Sequence, residues 1–73
     1  MTGRVTRIPT DRESGKRRGF CFVAGDDGLE YFLHASSIKR GKLFADVQEG
    51  DTVDFQPSDG ERGLRAEDAR VDK

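Results

Sequence analysis

The chain lacks tryptophan, contains one cysteine (Cys21) and one histidine (His34), and has no long apolar run. A lone cysteine excludes an internal disulfide framework and a multi-cysteine zinc site. A membrane-spanning helix needs about 20 consecutive apolar residues, and no segment approaches that length. No apolar signal segment follows the first residues. We therefore expect a cytoplasmic protein that does not contact membranes.

Large apolar residues are also scarce, since Leu, Ile, Val and Phe together account for sixteen of 73 residues. Charged residues make up 37% of the chain, yet the net charge is only −1. Disorder is expected when low apolar content accompanies a high net charge, so this balance predicts a single small domain over residues 1–73 with a thin core. Too few residues remain to enclose a large active site, so we expect no small-molecule substrate and no cofactor.

The near-zero net charge argues against nucleic-acid binding, because nucleic-acid-binding domains are usually basic. The charges are segregated, however. Residues 1–23 carry six basic and two acidic side chains, residues 35–43 carry three basic side chains, and residues 44–61 carry six acidic side chains. One face can therefore be positive while the whole chain is nearly neutral. Taken alone, the runs are explained equally well as solvated loops.

Short alternating or apolar runs, separated by turn residues, predict an all-β domain. An Asp-Gly pair at 27–28 indicates a hairpin turn, since glycine tolerates positive φ. A phase change between Ala66 and Ala69 predicts a bulge in the last strand. We predict one short helical turn within 36–47 and a mobile, basic loop at about 9–18. Strands are predicted around 3–8, 20–23, 30–34, 53–56 and 64–71, which suit a five-stranded barrel.

Alternation divides the two aromatic strands into opposite faces. If Cys21, Val23, Tyr31 and Leu33 fill the barrel, the outer face carries Phe20, Phe22, Phe32 and His34. An exposed aromatic cluster is costly unless it meets an apolar partner, and stacked nucleobases fit that requirement. The reverse arrangement, with the phenylalanines as the core, fits the alternation equally well. A glycine before the first phenylalanine and the poor fit of histidine to a thin core favour the exposed arrangement.

Two segments carry a family resemblance. Residues 18–23 (Arg-Gly-Phe-Cys-Phe-Val) resemble the first ribonucleoprotein motif of cold-shock domains, usually Lys-Gly-Phe-Gly-Phe-Ile, and residues 31–34 (Tyr-Phe-Leu-His) resemble the second. Residues 3–5, 37–38, 50–55 and 60–66 resemble other family segments in the same order. The resemblance covers nearly the whole chain. It implies an antiparallel oligonucleotide-binding-fold (OB) barrel of five strands that binds single-stranded RNA or DNA, as an RNA chaperone or transcription antiterminator.

The resemblance also implies roles for individual residues. The four outer aromatic residues would form a stacking platform, with Arg18 as the adjacent cation, Glu30 reading a base edge and Arg62 as a loop contact. Phe44 would serve, one residue out of step, as the family's loop phenylalanine. The expected interface is Arg7, Lys16, Arg17, Arg18, Phe20, Phe22, Glu30, Phe32, His34, Phe44 and Arg62.

Departures from the family pattern change the expected balance of forces. Thr6, Arg7 and Ile8 stand where the family has Lys-Trp-Phe, and Ala35 replaces an aromatic residue. Because a guanidinium can stack on a base, Arg7 is a candidate replacement for the missing tryptophan. The basic loop adds cations for phosphate. We therefore expect binding that leans on charge and weakens steeply with salt.

Other functions remain open at this point. The same barrel could be a protein-interaction module with a degraded platform, contacting its partner through the acidic 44–61 stretch or a sheet edge. A third hypothesis is a barrel of the translation-initiation type that contacts the ribosome. The aromatic pairs argue against it. One histidine and one cysteine on opposite strand faces suit neither a metal site nor a catalytic pair. We expect no enzyme and no metal, and a monomer, although exposed strand edges would also permit a dimer.

Overall fold

The computed structural model describes residues 1–60 and 63–72. This part of the chain contains six strands and two short 3-10 turns, and no α-helix. None of its helical segments is long and apolar enough to cross a membrane. The strands are β1 (Thr2–Arg7), β2 (Phe20–Gly25), β3 (Glu30–His34), β4 (Ile38–Gly41), β5 (Thr52–Gly60) and β6 (Gly63–Val71), and the 3-10 turns are Ala35–Ser37 and Phe44–Asp46.

Five of the strands close into the barrel expected from the sequence. The sheet order is β3-β2-β1-β5-β6-β4, and an additional pairing between β3 and β6 closes it. Pairs along the sheet from β3 to β6 are antiparallel, whereas the closing β3–β6 pair is parallel. The all-β OB barrel is therefore confirmed, with a parallel seam in place of a wholly antiparallel arrangement.

The single helical turn predicted within 36–47 is wrong, because a fourth strand separates two 3-10 turns there. β4 pairs in parallel with the end of β6, so its pairing partner lies about 30 residues away in sequence. Gly41 has φ +81 and lies against the Val71 carbonyl, where a side chain would collide. Glycine at this position therefore permits the close approach of β4 to β6.

Alternation along β2 and β3 directs Cys21, Val23, Tyr31 and Leu33 inward, as predicted. Tyr31 packs its ring against Phe55, with centroids 5.0 Å apart, and donates its hydroxyl hydrogen to Asp27 at 2.5 Å. That hydrogen bond and burial raise the pKa of Tyr31 to about 12. The buried core consists of Val5, Cys21, Val23, Tyr31, Leu33, Val47, Val53, Phe55, Ala66, Ala69 and Val71.

Bulges in β1 and β6 adjust which residues face outward. The predicted β6 bulge is confirmed. Around Asp68, whose φ is +46, an advance of three residues along β6 matches an advance of only two residues along β5. In β1, Val5 pairs with Val23 but Arg7 pairs with Phe22, so Thr6 is an extra residue. This second bulge was not predicted. It places Arg7 on the outer face instead of the core face.

The stretch predicted as a mobile loop forms a small hairpin, called here the basic hairpin (residues 9–18). Thr10 bridges to Arg17, and the Arg18 amide donates to the Pro9 carbonyl at 3.1 Å. At its tip, one carboxylate oxygen of Asp11 accepts the amides of Glu13 (2.8 Å) and Ser14 (3.1 Å). These bonds lower the pKa of the Asp11 carboxyl below its usual range. The side-chain cap thus organises the turn.

Candidate nucleic-acid interface

The outer faces of β2 and β3 carry the aromatic platform, defined here as Phe20, Phe22, Phe32 and His34. In the strand register, Phe22 lies opposite Phe32 and Phe20 lies opposite His34. Directly opposed residues share a sheet face, so the four side chains lie side by side. The three phenylalanines are half-buried and His34 is exposed. The structure therefore brings together all four residues predicted for stacking.

The phenylalanine rings contact one another closely. Phe20 and Phe32 stack with centroids 5.1 Å apart and an interplanar angle of 28°. Phe22 stands nearly perpendicular to Phe20, at 5.8 Å and 87°. Such offset and edge-to-face arrangements are favourable for aromatic rings. The result is a continuous apolar surface on the outside of a barrel whose own core lies beneath it.

His34 is oriented by the turn that follows it. Its Nδ1 accepts the Ser36 amide hydrogen at 3.1 Å and lies 2.8 Å from the Ser36 hydroxyl. Because Nδ1 acts as an acceptor, the neutral imidazole carries its proton on Nε2. The ring can therefore both stack on a base and donate a hydrogen bond.

Two arginines border the platform, Arg7 from β1 and Arg18 from the end of the basic hairpin. The guanidinium carbon of Arg7 lies 4.7 Å from the centroid of Phe22, and that of Arg18 lies 6.0 Å from Phe20. Both distances fall within the range of a cation–π contact. Cations thus lie directly beside the surface where bases would stack.

A further arginine on the opposite side was missed by the sequence analysis. Arg65 pairs in register with Phe32 across the seam, so a row across four strands reads Arg7, Phe22, Phe32 and Arg65. Arg65 is exposed, and its stem lies over Gly60, where a Cβ would come within 3.0 Å of the arginine Cδ. Alternation with half-buried Leu64 and buried Ala66 could have identified it as outward-facing.

Phe44 and Arg17 interact with each other. Arg17 donates from Nη1 to the Phe44 carbonyl at 2.6 Å, and its guanidinium carbon lies 5.7 Å from the Phe44 ring. Phe44 also packs against the core. These contacts dock the basic hairpin against the second 3-10 turn, an arrangement called here the Arg17–Phe44 clasp.

The remaining expected interface residues occupy separate positions. Lys16 is exposed on the basic hairpin. Glu30 is exposed on β3, opposite Ala24 and two register pairs from Phe22 and Phe32, on the same sheet face. Arg62 lies outside the described residues. The structure therefore places Glu30 beside the platform and Lys16 on the neighbouring hairpin.

Catalytic and metal chemistry gain no support from the described residues. Cys21 is fully buried, and burial raises the pKa of its thiol to about 11, which disfavours the reactive thiolate at neutral pH. It points into the barrel while His34 points outward. Within residues 1–60 and 63–72, no group of three or more His, Cys, Asp or Glu side chains could hold a metal ion.

Comparison with known proteins identifies several relatives. The family model described as the "'Cold-shock' DNA-binding domain" matches residues 13–71. The chain is 37% identical over 66 residues to the cold shock-like protein CspE of Bacillus anthracis, covering 90% of this chain and 88% of that one. It is 37% identical over 54 residues to the major cold shock protein CspA of Pseudomonas aeruginosa, covering 74% and 77%. It is 40% identical over 50 residues to the major cold shock protein of Micrococcus luteus, covering 67% and 73%.

Proposed function

Because the chain belongs to the cold-shock domain family, a family of nucleic-acid-binding domains, we propose that it binds single-stranded RNA or DNA through the aromatic platform. The observation that carries the proposal is the outward cluster of three phenylalanine rings. These rings lie on the outside of a barrel that already has a complete apolar core. An apolar ligand surface is the simplest account of that arrangement.

Binding would combine stacking with charge neutralisation. Each base stacked on an aromatic ring contributes about 1–3 kcal/mol, as measured by alanine substitution. Arg7 and Arg18 lie beside the rings and can contact phosphates or extend the stack. Because the stacked rings of Phe20 and Phe32 cover part of each other, a base would stack on their remaining faces or insert between the two rings.

The proposed action is passive. A bound strand has its bases occupied by the platform and cannot pair with another strand, which is the behaviour of an RNA chaperone or a transcription antiterminator. Neither role requires turnover, a cofactor or a second subunit. We propose that the protein acts as a monomer in the cytoplasm, with the single strand as its partner.

An NMR titration with hexanucleotides of each base tests this proposal. We expect chemical-shift changes concentrated on β2 and β3. Phe20→Ala and Phe32→Ala should each weaken binding by roughly 5- to 150-fold, the equivalent of about 1–3 kcal/mol. Leu43→Ala is the matched control, because Leu43 is 74% exposed and lies outside the platform. Absence of binding, or binding indifferent to both phenylalanine changes, would favour a protein-interaction module instead.

A further inference from the structure

Beside the aromatic platform lies an open depression of about 400 Å³, bordered by Arg4 and floored in part by Ala24. We propose that this depression binds one additional nucleotide of the same strand, and that it prefers a base with an exocyclic amino group. The inference rests on the proposed function. It adds a subsite that contains no aromatic residue.

The depression continues the platform along the strands. Ala24 lies two residues beyond Phe22 on β2, so both side chains occupy the same sheet face. Two residues of a strand advance about 6.6 Å, comparable with one step of an extended nucleotide chain. A strand that leaves the Phe22 ring along β2 therefore reaches Ala24 with its next nucleotide.

Small side chains and backbone create the space. Ala24 is half-buried between Arg4 on β1 and Glu30 on β3, and the row continues to Thr52 on β5. Sites for small organic ligands usually enclose about 300–1,000 Å³, so the volume suits a single nucleotide. A larger side chain at position 24 would fill it.

The charges around the depression are divided between its sides. Arg4 is exposed and forms no ion pair with any carboxylate in the described part of the chain, so its guanidinium is available to a phosphate. Asp26 lines the depression, and Glu30 stands across from Arg4 beyond Ala24. Carboxylates accept hydrogen bonds from base amino groups such as cytosine N4. They disfavour thymine or uracil, which present a carbonyl oxygen at that position.

Fluorescence anisotropy with a length series tests the subsite. The probes are a thymidine oligonucleotide of the shortest length that binds, and the same core extended at either end by one to three nucleotides of cytidine or thymidine. We expect an affinity step of about tenfold when a cytidine extension reaches the depression. The step should occur at one end only and be smaller for thymidine.

Variants assign the step to the depression. Arg4→Ala should remove it and reduce the magnitude of the log–log salt slope by about 0.7, the contribution of one phosphate contact in a single strand. Ala24→Leu should remove the step by filling the space, and Asp26→Ala should reduce the preference for cytidine, because Glu30 remains as the second carboxylate. Arg40→Ala is the charge-matched control, because Arg40 is exposed on β4 away from the depression.

The outcomes distinguish failure of the subsite from failure of the proposed function. A step that survives both Arg4→Ala and Ala24→Leu, or the absence of any step while the core binds through Phe20 and Phe32, would overturn the subsite and leave the proposed function intact. Equal steps for cytidine and thymidine would overturn the base preference. Failure of the core to bind the unmodified protein would overturn the proposed function and the subsite together.

Discussion

The guanidinium carbon of Arg7 lies 4.7 Å from the centre of the Phe22 ring, and the extra residue in β1 makes this contact possible. Gly3 and Val5 face the barrel interior, so strict alternation would direct Arg7 inward as well. The extra residue, Thr6, returns the Arg7 side chain to the outer face. Its hydroxyl donates a hydrogen bond to the Phe22 carbonyl at 3.3 Å. A planar cation therefore occupies the border of the platform, where cold-shock domains usually carry tryptophan.

Replacing Arg7 tests whether this cation contributes to binding. Arg7→Ala should weaken single-strand binding by about 1 kcal/mol, or roughly fivefold, because it removes both a cation–π surface and a phosphate contact. Arg7→Lys should recover only part of the loss, since an ammonium lacks the planar stacking face. Anisotropy titrations measure the effect, with Arg70→Ala as the control because Arg70 is paired with Asp72. Equal effects of the two alanine substitutions would contradict the assignment.

Binding should weaken steeply as the salt concentration rises, because contacts to phosphates contribute much of the affinity. If about four phosphates are contacted by arginine and lysine, the log–log slope is about −2.8, and raising salt from about 50 to about 200 mM weakens binding about 50-fold. Titrations at these two concentrations provide the measurement. An affinity that changes less than about threefold would show that stacking, and not phosphate contacts, accounts for the affinity.

The Arg17–Phe44 clasp should hold the basic hairpin in position. Arg17→Ala removes the 2.6 Å hydrogen bond to the Phe44 carbonyl, so we expect faster hydrogen exchange at the hairpin amides of Asp11 and Arg18. Binding should weaken more than in Arg12→Ala, which removes the same charge from an exposed site. Identical exchange rates in the two variants would refute a docking role.

Acid should destabilise the fold in part through two hydrogen-bonded carboxylates, Asp27 and Asp51. The Tyr31 hydroxyl, together with a backbone amide, lowers the pKa of Asp27, and Lys42, with the Gln48 amide, lowers the pKa of Asp51. A pKa that is lower in the folded state than the ordinary 3.8 contributes stability above about pH 4. That stability is lost as the pH falls through the folded-state pKa values.

Thermal melts between pH 7 and pH 2 measure this loss. The melting temperature should fall below about pH 4, and the fall should be shallower in Asp27→Asn and in Asp51→Asn. Asp46→Asn is the control, since Asp46 is exposed on the second 3-10 turn. A pH profile of either variant that matches the unmodified protein would remove that carboxylate from the explanation.

Local patterns predicted much of the barrel. Glu30–His34 is the strand expected, and alternation separated the outer Phe22 and Phe32 from the inner Val23 and Leu33. The β6 bulge was visible because its two buried alanines are out of phase. These features depend on neighbours along one strand, so the sequence displays them directly.

Features that depend on a distant partner were not predictable in the same way. β4 forms through its parallel pairing with β6, a partner about 30 residues away in sequence. The opposition of Arg65 to Phe32 follows from closure of the barrel. Likewise, the order of the basic hairpin comes from the Asp11 cap and the Arg17–Phe44 clasp, which composition does not reveal.

The seam of the barrel lies beneath the proposed ligand. β3 and β6 share one register pair, Phe32 with Arg65, whereas β2 and β3 share five. A nucleic-acid strand lying across Phe22, Phe32 and Arg65 would bridge this seam and act as a clamp on the closed barrel. Ligand occupancy and barrel closure are then thermodynamically linked, so the protein should become more resistant to heat in proportion to the logarithm of free ligand concentration.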